Sequence, residues 1–251
     1  MRQLVLTMVL ATSAIFGADK TDPPAEAKPD YAALCGSYYF GDGLGVNCTL
    51  ELKPGGQFSF NSHGCCGTYD ENTGTAELKD GTLHLTLAKA NNLRGIFGVA
   101  EKYRVARWGE RIYLLTDDGM LDFCNAVNQG HEPREERHGY AFFLRDKDWV
   151  KPAPGLPDLP KQWLDYLLKQ PLRGKVEHVN RDGTARLSLG SKDGLKVGMV
   201  LTAQGERYTQ LVITAVEDAS CTVKHSYKDD AADEHYQLKP GQLVTSRSFD
   251  K

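Results

Sequence analysis

The chain reads as a mainly β protein of two small antiparallel barrels or sandwiches joined by a proline-rich linker and a short helix. Three observations predict it. Short β-branched and aromatic runs recur between Tyr31 and Val150 with tight-turn residues every eight to twelve positions. The stretch Lys151 to Pro160, KPAPGLPDLP, places four prolines in ten residues, which fixes φ and removes backbone donors. Beyond it, residues 172–251 return to strand-like alternation.

The first residues give an address. An apolar stretch from Leu4 to Gly17, interrupted only by Thr7, Thr12 and Ser13, ends in small residues and reads as a secretory signal segment (1–18) cleaved near Ala18. The run is shorter than the roughly 20 residues that span a bilayer, so no membrane span is expected in the mature chain, and a secreted or periplasmic location follows. Residues 19–30, DKTDPPAEAKPD with Tyr31 next, have too little apolar surface to order themselves and read as a tether.

In the first domain, residues 31–150, strands are expected at Gly36–Phe40, Asn47–Leu52, Gln57–Ser62, Gly67–Tyr69, Thr75–Lys79, Thr82–Ala88, Lys102–Arg107, Ile112–Thr116 and Tyr140–Arg145. Pro54-Gly55-Gly56, Asp80-Gly81 and Gly109-Glu110 supply preset or positive φ between them, so sequential strands should pair as hairpins. Leu83, Leu85 and Leu87 mark one face as core. Met120, Phe123, Cys124 and Val127 recur at helical spacing between Asp118, a candidate N-cap, and Gly130, a candidate C′ residue, which predicts a short helix near 119–129 across one end of the barrel. Asp158–Lys169 repeats the signature within the linker region 151–171, with an Asp cap, an early Pro160 and a stop at Pro171. The last domain should carry strands at Lys175–Val179, Ala185–Leu189, Met199–Ala203, Gln210–Val216, Cys221–His225 and Leu243–Arg247. A unit of this size is near the limit for an independent core, so it should close its sheet or lean on the preceding helix.

Charge excludes one class of partner. The net charge is −3, with 12 basic and 17 acidic residues over 30–150 and 12 and 11 over 172–251. No clustered basic surface of the kind nucleic acid requires is present, so no nucleic-acid binding is expected.

Six cysteines in an exported chain point to disulfides. Cys35, Cys48, Cys65, Cys66 and Cys124 fall in the first domain and Cys221 in the second, so each domain keeps an odd thiol, and connectivity stays open. Adjacent Cys65 and Cys66 in an extended segment should face opposite ways, and Cys124 is expected to bridge to one of them. The same residues carry the competing reading. Thiolates and imidazoles ligate zinc or copper, and His63, Cys65, Cys66, Cys124 and His131 could form such a site. No C-x-x-C or H-x-x-x-H pair is present, so disulfides are the expected state and no cofactor is implied.

Other motifs are turn chemistry. Gly41-Asp42-Gly43-Leu44-Gly45 joins two strands instead of opening a helix, unlike a phosphate loop. Asp70-Glu71-Asn72 and Asp117-Asp118 lack calcium-loop spacing and read as solvated turn carboxylates. Residues 131–138, HEPREERH, form a charged run of hydrated surface. No nucleophile elbow, metalloprotease helix or cysteine-protease signature occurs, so no catalytic residue is expected.

One pattern carries a resemblance. Gly174-Lys175-Val176, the run Ala185 to Met199 (ARLSLGSKDGLKVGM), Leu211 to Val216 and Lys239-Pro240-Gly241-Gln242-Leu243-Val244 resemble the C-terminal β-barrel module of flagellar assembly protein T and, more distantly, the barrels of the rod-shape protein MreC. The resemblance implies an exported assembly module without catalytic residues. The first domain is similar in outline to lipocalin-like up-and-down barrels. The expectation is an exported, non-catalytic envelope protein that docks an envelope protein partner. The alternative is a periplasmic binding protein that holds a small ligand or metal in its first barrel. A carrier needs an open interior, and a scaffold barrel should be filled by its own side chains.

Overall fold

The computed structural model describes residues 30–41, 45–92, 98–131, 142–205, 208–227 and 237–247. The expected signal segment, all of the tether but Asp30, and residues 132–138 of the charged run lie outside them.

The first domain is a closed barrel of eight sequential antiparallel strands: β1 (Gly36–Gly41), β2 (Asn47–Lys53), β3 (Gln57–Gly64), β4 (Gly67–Lys79), β5 (Thr82–Leu87), β6 (Lys102–Trp108), β7 (Arg111–Leu115) and β8 (Phe142–Arg145). Closure comes from Tyr38 opposite Arg145 and Tyr39 opposite Leu144. Period-two alternation sends Leu50 and Leu52 of β2, Phe58 and Phe60 of β3, and Leu83 and Leu85 of β5 inward, where they pack with Tyr38, Tyr103 and Phe143. Each such side chain contributes about 1.5–3 kcal/mol on leaving water. These groups form the packed core of the barrel interior.

Two expected strands, Gly67–Tyr69 and Thr75–Lys79, are one continuous strand, β4. Asp70 and Asn72 read as turn residues in the sequence, yet both are buried and satisfied inside the barrel. Asp70 accepts from the Glu71 and Asn92 amides at 2.8 and 3.0 Å, and the Asn72 amide donates to the Lys89 carbonyl at 2.8 Å. Gly74 completes the strand by close approach, since the Thr86 carbonyl leaves no room for a Cβ there.

One end of this barrel is sealed by a 3-10 turn at Tyr31–Leu34, whose Leu34 is buried and whose carbonyl accepts from Tyr38 Oη at 2.8 Å. Beside it, Asp148 is 1% exposed and accepts from Ile112 N at 2.9 Å, Arg145 Nε at 3.1 Å and Lys151 Nζ at 2.6 Å. A buried carboxylate survives only with such partners.

Helix α1 (Gly119–Asn128) forms where the periodicity predicts it, with a different setting. It does not cross an end of the barrel: it packs on the outer wall, where Phe123 meets Trp108, Tyr113 and Phe142 edge-on at 5.0–6.5 Å. Strand β7 is consequently buried on both faces. The cap also differs, because Asp118 makes no side-chain cap bond and Thr116 Oγ1 accepts the Gly119 amide at 3.1 Å. At the other end the expected Gly130 is at φ +77°, with Gly130 N bonded to Val127 O and His131 N to Ala126 O. That is a Schellman stop.

Helix α2 (Lys161–Leu164) is a single turn, shorter than the sequence predicts. The reason is competition for backbone groups. Asn128 of α1 donates to Tyr166 O and accepts from Leu168 N, both at 2.8 Å, which takes the groups a longer helix would use. Asp158 is not its cap. It exchanges both backbone bonds with Arg107 as a strand-like extension.

The second domain is a closed six-stranded barrel of β9 (Arg173–Val179), β10 (Ala185–Leu187), β11 (Val200–Ala203), β12 (Thr209–Val216), β13 (Cys221–His225) and β14 (Leu243–Thr245), in the order β10-β13-β12-β11-β14-β9. Its core is aliphatic, with Leu187, Leu201, Leu211, Ile213 and Val223 at the centre. The barrel leans on α1: Asn125 donates to Gly198 O at 3.1 Å and accepts from Val200 N at 3.0 Å, and Leu121 covers Gly198.

Candidate functional site

Among the sequence-predicted residues, His63, Cys65 and Cys66 come together at the tip of the β3–β4 hairpin. Gly64 pairs with Gly67, so the two cysteines are the central residues of a two-residue turn. This corrects the expectation that they sit in an extended segment and face opposite ways. Their sulfurs lie 3.8 Å apart and both residues are exposed. The tip is seated on the neighbouring loop, with Tyr69 Oη donating to Gly45 O at 3.0 Å and Gly64 too close to Gly45 for any side chain. His63 Nδ1 is engaged by Asn61 Oδ1 at 2.9 Å. The cysteine pair raises the Cys66 thiol above the ordinary value, because Cys65 shares its proton.

The structure does not bring the other candidates to this tip. Cys124 is buried on α1, its thiol directed at Trp163 O at 4.0 Å, and burial pushes it up to about 12. Cys48 is buried inside the first barrel, donates to Ser62 Oγ at 3.3 Å, and is pushed up to about 11 by burial. Cys221 is buried in the second barrel and pushed up to about 12 by burial and then by Asp193. Cys35 is half-buried, and none of the six cysteines is in a disulfide, so Cys124 is joined to neither Cys65 nor Cys66. His131 lies elsewhere, against the joint of the two barrels. No group of three or more metal-ligating side chains assembles among the described residues.

The expected turn carboxylates divide. Asp117 is exposed and paired with Arg104 Nε at 2.9 Å, as surface chemistry predicts, whereas Asp70 and Asn72 are interior. Asp42, Gly43 and Leu44 of the glycine loop lie outside the described residues.

A second site was not legible in the sequence. Between the barrels lies a cleft of about 310 Å³, lined among others by Trp108, His131, Leu156, Leu168, Lys169 and Arg247. Trp108 is held by its indole N–H on Gly155 O at 2.9 Å. Arg247 follows the last strand and lies across the helix stop, where a Cβ on Gly130 would stand 2.7 Å from Arg247 Nε. Lys169 lies on the stretch fixed by Asn128, two residues before Pro171. Among the described residues neither cation has an ion pair or a side-chain hydrogen bond, while other basic groups such as Arg104, Arg145 and Arg186 are paired. Among the described residues the cleft therefore offers an apolar wall beside two positive charges with no acidic partner. Nothing local in the sequence marks it, because its residues come from five separate segments.

Fold and site together define a tandem of closed antiparallel barrels docked on a shared helix, with a basic cleft at the joint. No family model matches the chain, and no curated protein sequence matches it. Among solved structures it is similar to the crystal structure of the Cpx pathway activator NlpE from Escherichia coli, at 14% identity and a TM-score of 0.24, over 77% of this chain and 93% of that one. A score this low leaves the reading of this chain to its own geometry. The second domain is a closed barrel, and no family model matches the chain to flagellar assembly protein T. Among the described residues no helix is long and apolar enough to cross a membrane.

Proposed function

We propose that this chain is an exported, non-catalytic interaction protein that docks an acidic segment of an envelope protein partner in the cleft between its barrels. The observation that carries this reading is that Lys169 and Arg247, which have no ion-pair partner among the described residues, line the cleft with the apolar wall of Trp108, Leu156 and Leu168. Charged side chains at a recognition surface steer and orient an oppositely charged partner, and an apolar wall supplies the burial. A cleft of about 310 Å³ accommodates a few side chains of an extended peptide, not a folded domain. The cluster of buried aromatic and aliphatic side chains inside the first barrel favours this reading over a carrier of small ligands or metal inside that barrel.

The test uses Trp108 as reporter. Titrating the purified chain with a synthetic peptide of alternating Glu and Leu should change the tryptophan emission, and the affinity should fall with salt as surface charges are screened. Arg247→Glu combined with Lys169→Glu should abolish the response while leaving the thermal midpoint unchanged. Equal binding of a Lys-Leu peptide, or full binding by the double variant, would overturn the proposal.

A further inference from the structure

The hairpin tip carries chemistry that the docking cleft does not use. Of the six thiols, Cys65 and Cys66 are the two that face solvent, while Cys48, Cys124 and Cys221 are buried in the two cores and Cys35 is half-buried. Burial keeps the three core thiols protonated far above neutral pH and closes them to attack. The tip pair sits in the opposite environment. It occupies the whole of a two-residue turn whose flanking residues are glycines, Gly64 and Gly67, the latter at φ +98°. Gly64 is held against Gly45, whereas Gly67 has open space around it, so the turn can adjust on the Gly67 side. Below it the hairpin is anchored, by Tyr69 Oη on Gly45 O and by the bonding of Asn61 to His63 and Glu71. The two sulfurs are already 3.8 Å apart, with the Tyr69 hydroxyl close beside Cys65.

We infer that Cys65 and Cys66 form a reversible dithiol–disulfide pair, a modification site at the exposed tip of the first barrel. The oxidant is a small or protein disulfide. One tip thiolate attacks a sulfur of that disulfide, forms a mixed disulfide and expels the first leaving thiolate. The neighbouring thiolate then attacks the tip sulfur, closes the Cys65–Cys66 bond and expels the second. The protein loses two electrons and two protons, and the oxidant becomes two thiols. Closing the ring requires the sulfurs to approach from 3.8 Å to about 2.05 Å. Adjacent Cα atoms are about 3.8 Å apart, less than the spacing an ordinary disulfide prefers, so the ring is strained and readily reduced. Strain of this kind makes a labile pair and not a structural staple.

The test is made on the full folded chain, reduced and then equilibrated with oxidised glutathione. Cleavage after Glu51 and Glu71 releases the fragment Leu52–Glu71, which holds Cys65 and Cys66 and no other cysteine. The expected result is a fragment lighter by two hydrogens that resists alkylation, while the core cysteines stay reduced, and dithiothreitol restores both thiols. Cys66→Ser should stop at a glutathione adduct on Cys65. The ring should also form several-fold more readily in the folded chain than in the same chain in urea, because the fold holds the sulfurs together. Wild-type protein that keeps two alkylatable tip thiols, retains glutathione there, cross-links to a second chain through the tip, or closes the ring equally in urea would overturn the inference.

Discussion

The eight-stranded barrel packs its interior with aromatic rings, Tyr38, Phe58, Phe60, Tyr103 and Phe143, whereas among the described residues the buried core of the six-stranded barrel is Leu, Ile, Val, Ala, Cys and Met, with Tyr166 of the linker packed against it. Interior width grows with strand number, so the wider barrel needs the larger side chains. They also differ in how they are closed. The first seals one end with its own 3-10 turn and the Asp148 cluster. The second borrows a helix that belongs by sequence to the first, through Asn125, Leu121 and Gly198. The lesson is that the smaller unit gains support by docking, and the C-terminal end of the same helix, with Val127, Asn128 and the Gly130 stop, lines the cleft.

This asymmetry can be broken at its strongest point first. Asp148→Ala strands the Ile112 amide and two cations, and should cost about 3 kcal/mol, the scale for removing one partner of a buried pair. Urea unfolding should show the first barrel melting early with the second following it, and an unchanged midpoint would show that the cluster is solvated. Next comes the joint. Asn125→Ala leaves a buried donor and acceptor unsatisfied, about 2 kcal/mol, and should split one cooperative transition into two as the second barrel loses its support. Hydrogen exchange that quickens uniformly in both barrels, with no preference for the second, would contradict this.

Smaller still, Gly198→Ala should cost about 1 kcal/mol, since φ is +87° and Leu121 Cδ2 would lie 2.8 Å from the new Cβ. Combined with Leu121→Ala, the loss should be less than the sum of the two, because the clash is removed. Additive melting shifts would mean that α1 does not press on that turn.

The smallest effect at neutral pH is titration of the buried thiols. Cys48 is raised to about 11 and Cys124 and Cys221 to about 12, whereas an unfolded thiol ionises near about 8.5. The folded state disfavours the thiolate. The stability associated with these groups is therefore fully present below pH of about 8.5 and is lost as pH rises through the folded values. Urea midpoints should be flat below that point and fall above it, and substituting Cys124 by Ala should flatten part of the decline. A decline that begins near neutrality would assign it to other groups.

Strand positions were largely legible because period-two alternation and glycine turns are local. The second barrel agrees with expectation to within a few residues, and the Gly130 stop of α1 was readable from one residue. The merged strand β4 was not, because Asn72-Thr73-Gly74 has turn composition and only the interior partners of Asp70 and Asn72 make it a strand. Helix α2 was overread for a related reason: its apolar spacing is helical, but Asn128 takes its backbone groups. Of the candidate sites, the hairpin tip was visible as adjacent cysteines. The cleft was not, since Trp108 and Arg247 are far apart in the chain.

The sequence by itself determined the two β units, the proline connector between them and the turn chemistry that pairs neighbouring strands, because each depends on residues within one or two turns of each other. Only the tertiary structure decided which thiols face water, where α1 packs, and that Lys169 and Arg247 line one cleft with Trp108. Those outcomes depend on which distant groups share the same volume, and solvent exclusion and hydrogen-bond satisfaction settle that once both barrels have closed.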